Sequence, residues 1–291
     1  MTDQSPTRVG IDYRDGVFYA ARVRHGSGRP EVLALVRYDE KHLGEHHLLK
    51  DGEIVMSVPD DTVLIKDLEI PPGGGVPDLA RVEFELAQSV LEDDSAYLFD
   101  SLESGIEGHY LGMLMRREAD TNSPAAVFTR AAGLDREPHR RIRGAALGQG
   151  YLAFCSPEKG DLTCLIDITK KLATFCFLYR RAIIGLAHLA LGGIDPGSPD
   201  GRERLAIEAK TVINFKTASF FESGVTLPLS AVLVSGIADG DPFLDVLSRY
   251  FAVPVGRPEV NRGFFSKPEQ VAGIPLGQYL VALGLGTNSL A

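Results

Sequence analysis

A chain of 291 residues, 44% hydrophobic and 24% charged, is an ordinary globular sequence, large enough for two lobes that each have a core. Its net charge of −9 argues against general nucleic-acid binding. The start, MTDQSPTRVGID, lacks the basic stretch and apolar core of a signal peptide, and no apolar run approaches the roughly 20 residues that span a bilayer, so a cytoplasmic protein is expected.

The first predicted unit is a meander. VGI, GVFYAARVR and EVLALVRY are short and rich in β-branched or aromatic residues, with turns at residues 14–16 and 26–30. Two further strand-like runs flank Pro59, and the second ends in a Pro/Gly-rich loop that suits a boundary or an inserted element. PDLARVEFELAQSVLED then sets Leu79, Val82, Leu86 and Val90 at helical spacing, so a helix is expected with these four on its buried face. AYLFDSLE and HYLGMLMRRE are predicted strands, and TNSPAAVFTRAAGL opens another helix after a capping residue.

A helix is predicted from about Glu137 to Phe154, weakened by Gly144, Gly148 and Gly150. A strand pair follows in LIDITKKLATFCFLYR. RERLAIEAKTVINF puts Leu205, Ala209, Val212 and Ile213 on one helical face. LSAVLVSGIADGDPFLDVLSRYF is predicted as a buried strand, a glycine-bearing turn and a helix, and a short strand near Val253 and a helix near Gln278 to Gly284 close the chain. Alternating strands and helices favour an α/β protein with helix-covered sheets.

One arrangement occurs twice. In VGIDYRDGVFYAARV and again in LIDITKKLATFCFLYR, an apolar run ends in an aspartate, a polar turn follows and a second apolar run opens. The copies, at Asp12 and Asp167, stand about 155 residues apart, which suggests two related lobes. Cys155, Cys164 and Cys176 are an odd set in apolar surroundings without metal-type spacing, so buried free thiols are expected. His42, Glu45, His46 and His47 have ligand chemistry but no distant fourth ligand, which leaves zinc the minor reading. Arg136, Arg140, Arg141 and Arg143 fit either an acidic partner or, more simply, a basic helix face. Neither a nucleophile elbow, a Walker glycine loop nor a CxxC pair is present.

The order of these elements, with the two aspartate hairpins and VLVSGIADGDPFLDVLSRYF, resembles the actin-like ATPase superfamily, in which two lobes clamp a nucleotide. Within it the chain is similar to the PilM family of type IV pilus assembly proteins. MSVPDDTVLIKDLEIPP, the helix ARVEFELAQSVLED and AYLFD look like the inserted subdomain of those proteins, and QYLVALGLG resembles their closing segment. The resemblance implies a two-lobed, ribonuclease H-like α/β fold with an inserted α+β subdomain. Residues 1–57 with 136–156 would form the first lobe and 58–135 the insert. Residues 157–291 would form the second lobe, with 196–230 as a small subdomain.

The same resemblance implies ATP and Mg²⁺ as cofactors. Asp12 and Asp167 would hold the water shell of the Mg²⁺, Ser235 and Gly236 would lie on the adenosine side, and Lys210 would stand on a helix used for adenosine contacts, a solvated helix face being the plainer reading. Departures are evident. The glycine expected two positions beyond each aspartate is replaced by Arg14 and Thr169, and Ile237 stands where a second glycine would admit the purine. Either Arg14, Lys170 and Lys171 supply the lost donors as cations, or the hairpins persist for the fold alone with Asp12 and Asp167 as turn or capping residues. Glycine losses at both turns favour the second, and hydrolysis is not expected. By resemblance the chain is then a scaffold at the inner face of the inner membrane. Its partner would be the cytoplasmic tail of a PilN-like inner-membrane protein, docked in a groove that involves the insert. The rivals are an active actin-like ATPase and the cytoplasmic domain of a type II secretion L-type protein.

Overall fold

The computed structural model describes residues 6–287 except 27, 40–51, 71–77, 91–95, 117–122, 136, 156–161, 223–226 and 239. The predicted meander is β1 (Thr7–Arg14), β2 (Val17–Arg24) and β3 (Glu31–Asp39). Asp15 and Gly16 join the first two strands at φ 53° and 87°, the left-handed pair that a two-residue hairpin turn requires and that an Asp-Gly sequence supplies. β4 (Glu53–Val58) runs parallel to β1, and β8 (His139–Ile142) runs parallel to β4, giving a five-stranded sheet of order β3-β2-β1-β4-β8.

A second sheet repeats that order. β9 (Leu162–Ile168), β10 (Leu172–Tyr179), β11 (Ala182–Ala190), β12 (Leu229–Ser235) and β13 (Val255–Gly256) form the sequence β11-β10-β9-β12-β13, with β12 parallel to β9. The duplication extends to register: Asp12 lies opposite Tyr19 and Asp167 opposite Thr174, each seven residues on. The two central strands, β1 and β9, each carry an apolar run (Val9–Ile11 and Cys164–Ile166) up to their aspartate because helices cover both faces of both sheets.

The layers follow from the apolar faces. α2 (Pro124–Ala131), capped by the Ser123 hydroxyl accepting from the Ala126 amide at 3.2 Å, packs Phe128 against Ile11, Phe18 and Met56 on the outer face of the first sheet. Between the sheets lie α3 (Arg143–Phe154) and α6 (Leu280–Gly286), which bury Leu147, Leu152, Leu280 and Leu285 against Leu165, Cys176 and Leu186. α4 (Pro199–Glu222) and α5 (Phe243–Ser248) cover the outer face of the second sheet. The glycines that lowered helix propensity in α3 have a packing reason. A Cβ at Gly150 would stand 2.1 Å from the Leu280 carbonyl oxygen, and one at Gly284 would stand 1.8 Å from that of Ala146. The two helices therefore cross backbone to backbone.

Between β4 and β8 the chain makes a smaller antiparallel sheet of order β5-β7-β6, from β5 (Val63–Glu69), β6 (Tyr97–Glu103) and β7 (His109–Arg116). α1 (Asp78–Ala87) lies on it.

Several expectations need correction. The helix foreseen over residues 137–154 begins only at Arg143, because His139–Ile142 is taken as the edge strand β8. In α1, Val82 and Leu86 are buried but Leu79 is 63% exposed, since the small sheet is narrow and reaches one side of the helix. The closing segment, assigned to the second lobe, places α6 against α3, β1 and β2 of the first. Among the described residues, 196–230 hold one helix, α4, packed on β11 and α5, and the start of β12.

Candidate functional site

β1 and β9 end close together, and the two aspartates they carry are wholly buried. Each accepts a hydroxyl bond from the serine at the end of its parallel neighbour: Ser57 Oγ lies 2.8 Å from Asp12 Oδ1, and Ser235 Oγ lies 2.7 Å from Asp167 Oδ1. The symmetry of the two sheets thus reaches the side chains.

Two arginines bridge the pair. From the first residue of α3, Arg143 reaches both lobes, with Nη1 at 2.7 Å from Asp12 Oδ1 and Nη2 at 2.6 Å from Asp167 Oδ2. From β1, Arg14 Nη2 lies 3.1 Å from Asp12 Oδ2 and 3.2 Å from Asp167 Oδ1. Its guanidinium also lies over the Tyr19 ring, 5.3 Å from the centroid. Two carboxylates and two guanidiniums sum to zero formal charge, the condition under which a buried ionic cluster is tolerable. Burial alone would raise the Asp167 pKa, but the charges of Arg14 and Arg143 outweigh it and hold that carboxyl below its ordinary range. Burial would likewise lower the Arg143 pKa, and Asp12 and Asp167 overcome it so that the value is raised.

A third carboxylate adjoins the cluster. Asp60 accepts from the Gly144 amide at 3.0 Å and from the Thr174 hydroxyl at 2.5 Å, tying the insert to α3 and to the second sheet. Burial raises its pKa against those two bonds and the Arg143 charge.

The second hairpin turn has its amides engaged. Thr169 N donates to the Leu172 carbonyl at 2.9 Å, and Lys171 N and Leu172 N donate to Thr169 Oγ1 at 3.3 and 3.0 Å. Lys170 N donates to the Asp15 carboxylate of the first hairpin at 3.1 and 3.2 Å. Gly236, at φ 81°, is pressed against the Ile168 carbonyl, 2.4 Å from where its Cβ would be, and against Arg14 Nη1 at 2.9 Å.

The residues present do not fit a hydrated Mg²⁺ between Asp12 and Asp167. All four carboxylate oxygens already accept from arginine or serine, and the guanidiniums supply the two positive charges. The structure therefore brings together Asp12, Arg14, Asp167 and Ser235 as one bonded cluster, with Thr169, Lys170 and Gly236 beside it. Lys210 stands apart on α4, its ammonium 5.9 Å from the centroid of the Tyr250 ring. Arg143, read from sequence as part of a basic face, is instead 97% buried and central. Arg140 and Arg141 lie on β8, whereas Arg136 and the group from His42 to His47 fall outside the described residues. Among the described residues no three His, Cys, Asp or Glu side chains group as metal ligands, and Cys155, Cys164 and Cys176 are free and buried as expected.

A second feature lies on the other side of β8. β6 and β8 are the edge strands of their sheets, and both line the same pair of adjoining cavities. One, of about 230 Å³, is walled by Val58, Val63, Leu98, Met113, Met115 and Ile142. The other, of about 600 Å³, continues past Ser101, Leu102 and Ala145 to the Arg181–Ile183 segment of the second lobe.

No protein-family model matches the chain, and no curated protein matches it in sequence. Solved structures do. One, described as a PilM-PilN type IV pilus biogenesis complex, superposes with a TM-score of 0.63 at 15% identity, over 96% of this chain and 97% of that one. Another, a Bacteroides thetaiotaomicron protein with actin-like ATPase fold and unknown function, superposes with a TM-score of 0.51 at 7% identity, over 94% of this chain and 98% of that one. The chain has the actin-like ATPase fold. β1–β2 and β9–β10 are the corresponding hairpins of the two repeated sheets, and the sheet β5-β7-β6 falls within residues 58–135, the span expected as an insert, of which α2 packs instead on the first sheet. No described helix is long and apolar enough to cross a membrane.

Proposed function

We propose that the chain is an actin-like scaffold of a type IV pilus or related envelope-spanning machine. It would sit at the inner face of the inner membrane and dock the extended cytoplasmic tail of a PilN-like membrane protein between β6 and β8. The observation that carries this reading is a groove lined by residues of two sheet-end strands, β6 and β8. An extended segment laid there gains backbone hydrogen bonds from an edge, while alternate side chains enter the apolar floor around Met113, Val63 and Ile142. Charged Arg140 and Arg141 on the short β8 edge suit a strand kept from pairing indiscriminately. Similarity to the pilus complex supports the choice of partner. The buried ionic cluster supports a role that needs neither nucleotide turnover nor metal.

The test is the affinity of a synthetic PilN-type tail peptide for the protein, measured by fluorescence anisotropy. Leu98 is 39% exposed on β6 and lines the groove, so Leu98→Asp leaves the fold intact and should weaken binding at least ~10-fold by setting a charge in an apolar contact. Phe215→Asp, at a site 76% exposed on α4, should leave affinity unchanged. Equal affinity for wild type and Leu98→Asp would refute the groove.

A further inference from the structure

We propose that Arg14, Arg143 and Asp15 are built-in substitutes for the cation and the phosphate that hairpins of this fold would clamp, so that the two lobes are latched by the chain itself.

Three observations carry it. First, the arginines lie between the two aspartates and bond to both: Arg143 contributes one nitrogen to each, at 2.7 and 2.6 Å, and a single nitrogen of Arg14 lies 3.1 to 3.3 Å from oxygens of both. Their combined charge equals that of a divalent ion. Second, Asp15 sets a carboxylate on the Lys170 amide of the opposite hairpin, where an anion would otherwise accept that bond. It comes from a turn held at φ 53°, which aims the side chain across the cleft. Third, the Gly236 backbone abuts the Ile168 carbonyl and Arg14 in the same seam, where a Cβ would stand 2.4 and 2.9 Å from them. These bonds run from one hairpin to the other or through α3 to both, so each of the three substitutes crosses the lobe boundary. The sequence holds the means for this where it departs from the usual hairpin: the arginine at position 14 that takes the place of a glycine, and so removes backbone approach, is the one that brings in a cation.

The latch is separate from the docking groove, and its test does not depend on a partner. Thermal melting of the wild-type protein should be unmoved by 10 mM Mg²⁺ or by ATP·Mg²⁺. Arg14→Ala/Arg143→Ala should melt on the order of 10 °C lower, because two buried carboxylates lose their counter-charge. Mg²⁺ should restore part of that loss beyond a sodium chloride control of equal ionic strength. A third arm uses the exposed turn: Asp15→Gly keeps the left-handed backbone, and should speed hydrogen exchange of the Lys170 amide about 10-fold without altering the melt. Should the double variant not fold, that exchange arm still decides. Stabilisation of wild type by ATP·Mg²⁺, a double variant as stable as wild type, a folded double variant that Mg²⁺ does not rescue, or an unchanged Lys170 amide would each overturn the proposal.

Discussion

The crossing of α3 and α6 supplies a sharp test of how the helical layer between the two sheets is packed. A methyl group at Gly284 would sit 1.8 Å from the Ala146 carbonyl oxygen and 2.7 Å from the Gly150 amide nitrogen. Both are backbone atoms, so no rotamer change relieves the clash, and α6 must move by roughly 1.5 Å to regain ordinary contact. Leu280, Val281 and Leu285, all at 0% exposure, would lose close packing on α3 and on Leu165 and Cys176. The cost of Gly284→Ala should reach or exceed the ~3 kcal/mol upper end of ordinary overpacking, partly offset by the ~1 kcal/mol better helix propensity of alanine. At about 2–4 °C per kcal/mol the melting temperature should fall by roughly 5–10 °C. Circular dichroism melts and urea titrations of Gly284→Ala beside Gly277→Ala would measure it, since a Cβ at Gly277 meets nothing within 4 Å. A Gly284→Ala melt within 2 °C of wild type would refute the close crossing.

The buried carboxylates should show opposite pH signatures. The Asp167 pKa is held down, so its stabilisation is present above the unfolded value of about 4 and is lost as pH falls through the folded value. Asp167→Asn should therefore be less stable than wild type at pH 7, and urea midpoints of the two should converge below about pH 4. The Asp60 pKa is raised, so its contribution is intact below about pH 4 and is lost as pH rises through the folded value. Asp60→Asn should gain on wild type as pH rises, and a constant difference between pH 4 and 8 would contradict this. Ser57→Ala and Ser235→Ala should cost about 2 kcal/mol each, nearly equally, because each removes one hydroxyl from one carboxylate of a symmetric pair. A large inequality in urea titrations would mean that the two sheets are not equivalent around the cluster.

Much of the fold was legible because it is written in local patterns. Strand runs bounded by turn residues located β1, β2, β9 and β10, and the repeated Asp12 and Asp167 arrangement exposed the duplication that the sheet orders display. Arg143 was not legible. It follows three other basic residues of similar spacing, and only the stop of β8 at Ile142 and the entry of α3 between the sheets send it inward. Ser57 had a usable signal: IVM and AVLV are each followed by a serine, Ser57 and Ser235, mirroring the two aspartates on the neighbouring strands. Asp60 had none, since its partners Gly144 and Thr174 are set by tertiary packing. The α3 glycines misled, because a propensity penalty on an isolated helix is the requirement of a close crossing in the folded one.

The docking reading is tested most directly by hydrogen exchange of the protein with and without the PilN-type tail peptide, in nucleotide-free buffer. The account predicts added protection on the β6 amides at residues 98–103 and the β8 amides at residues 140–142, unchanged when ATP·Mg²⁺ is supplied. Protection confined to α4 or to the hairpins, or protection that appears only with ATP·Mg²⁺, would contradict it.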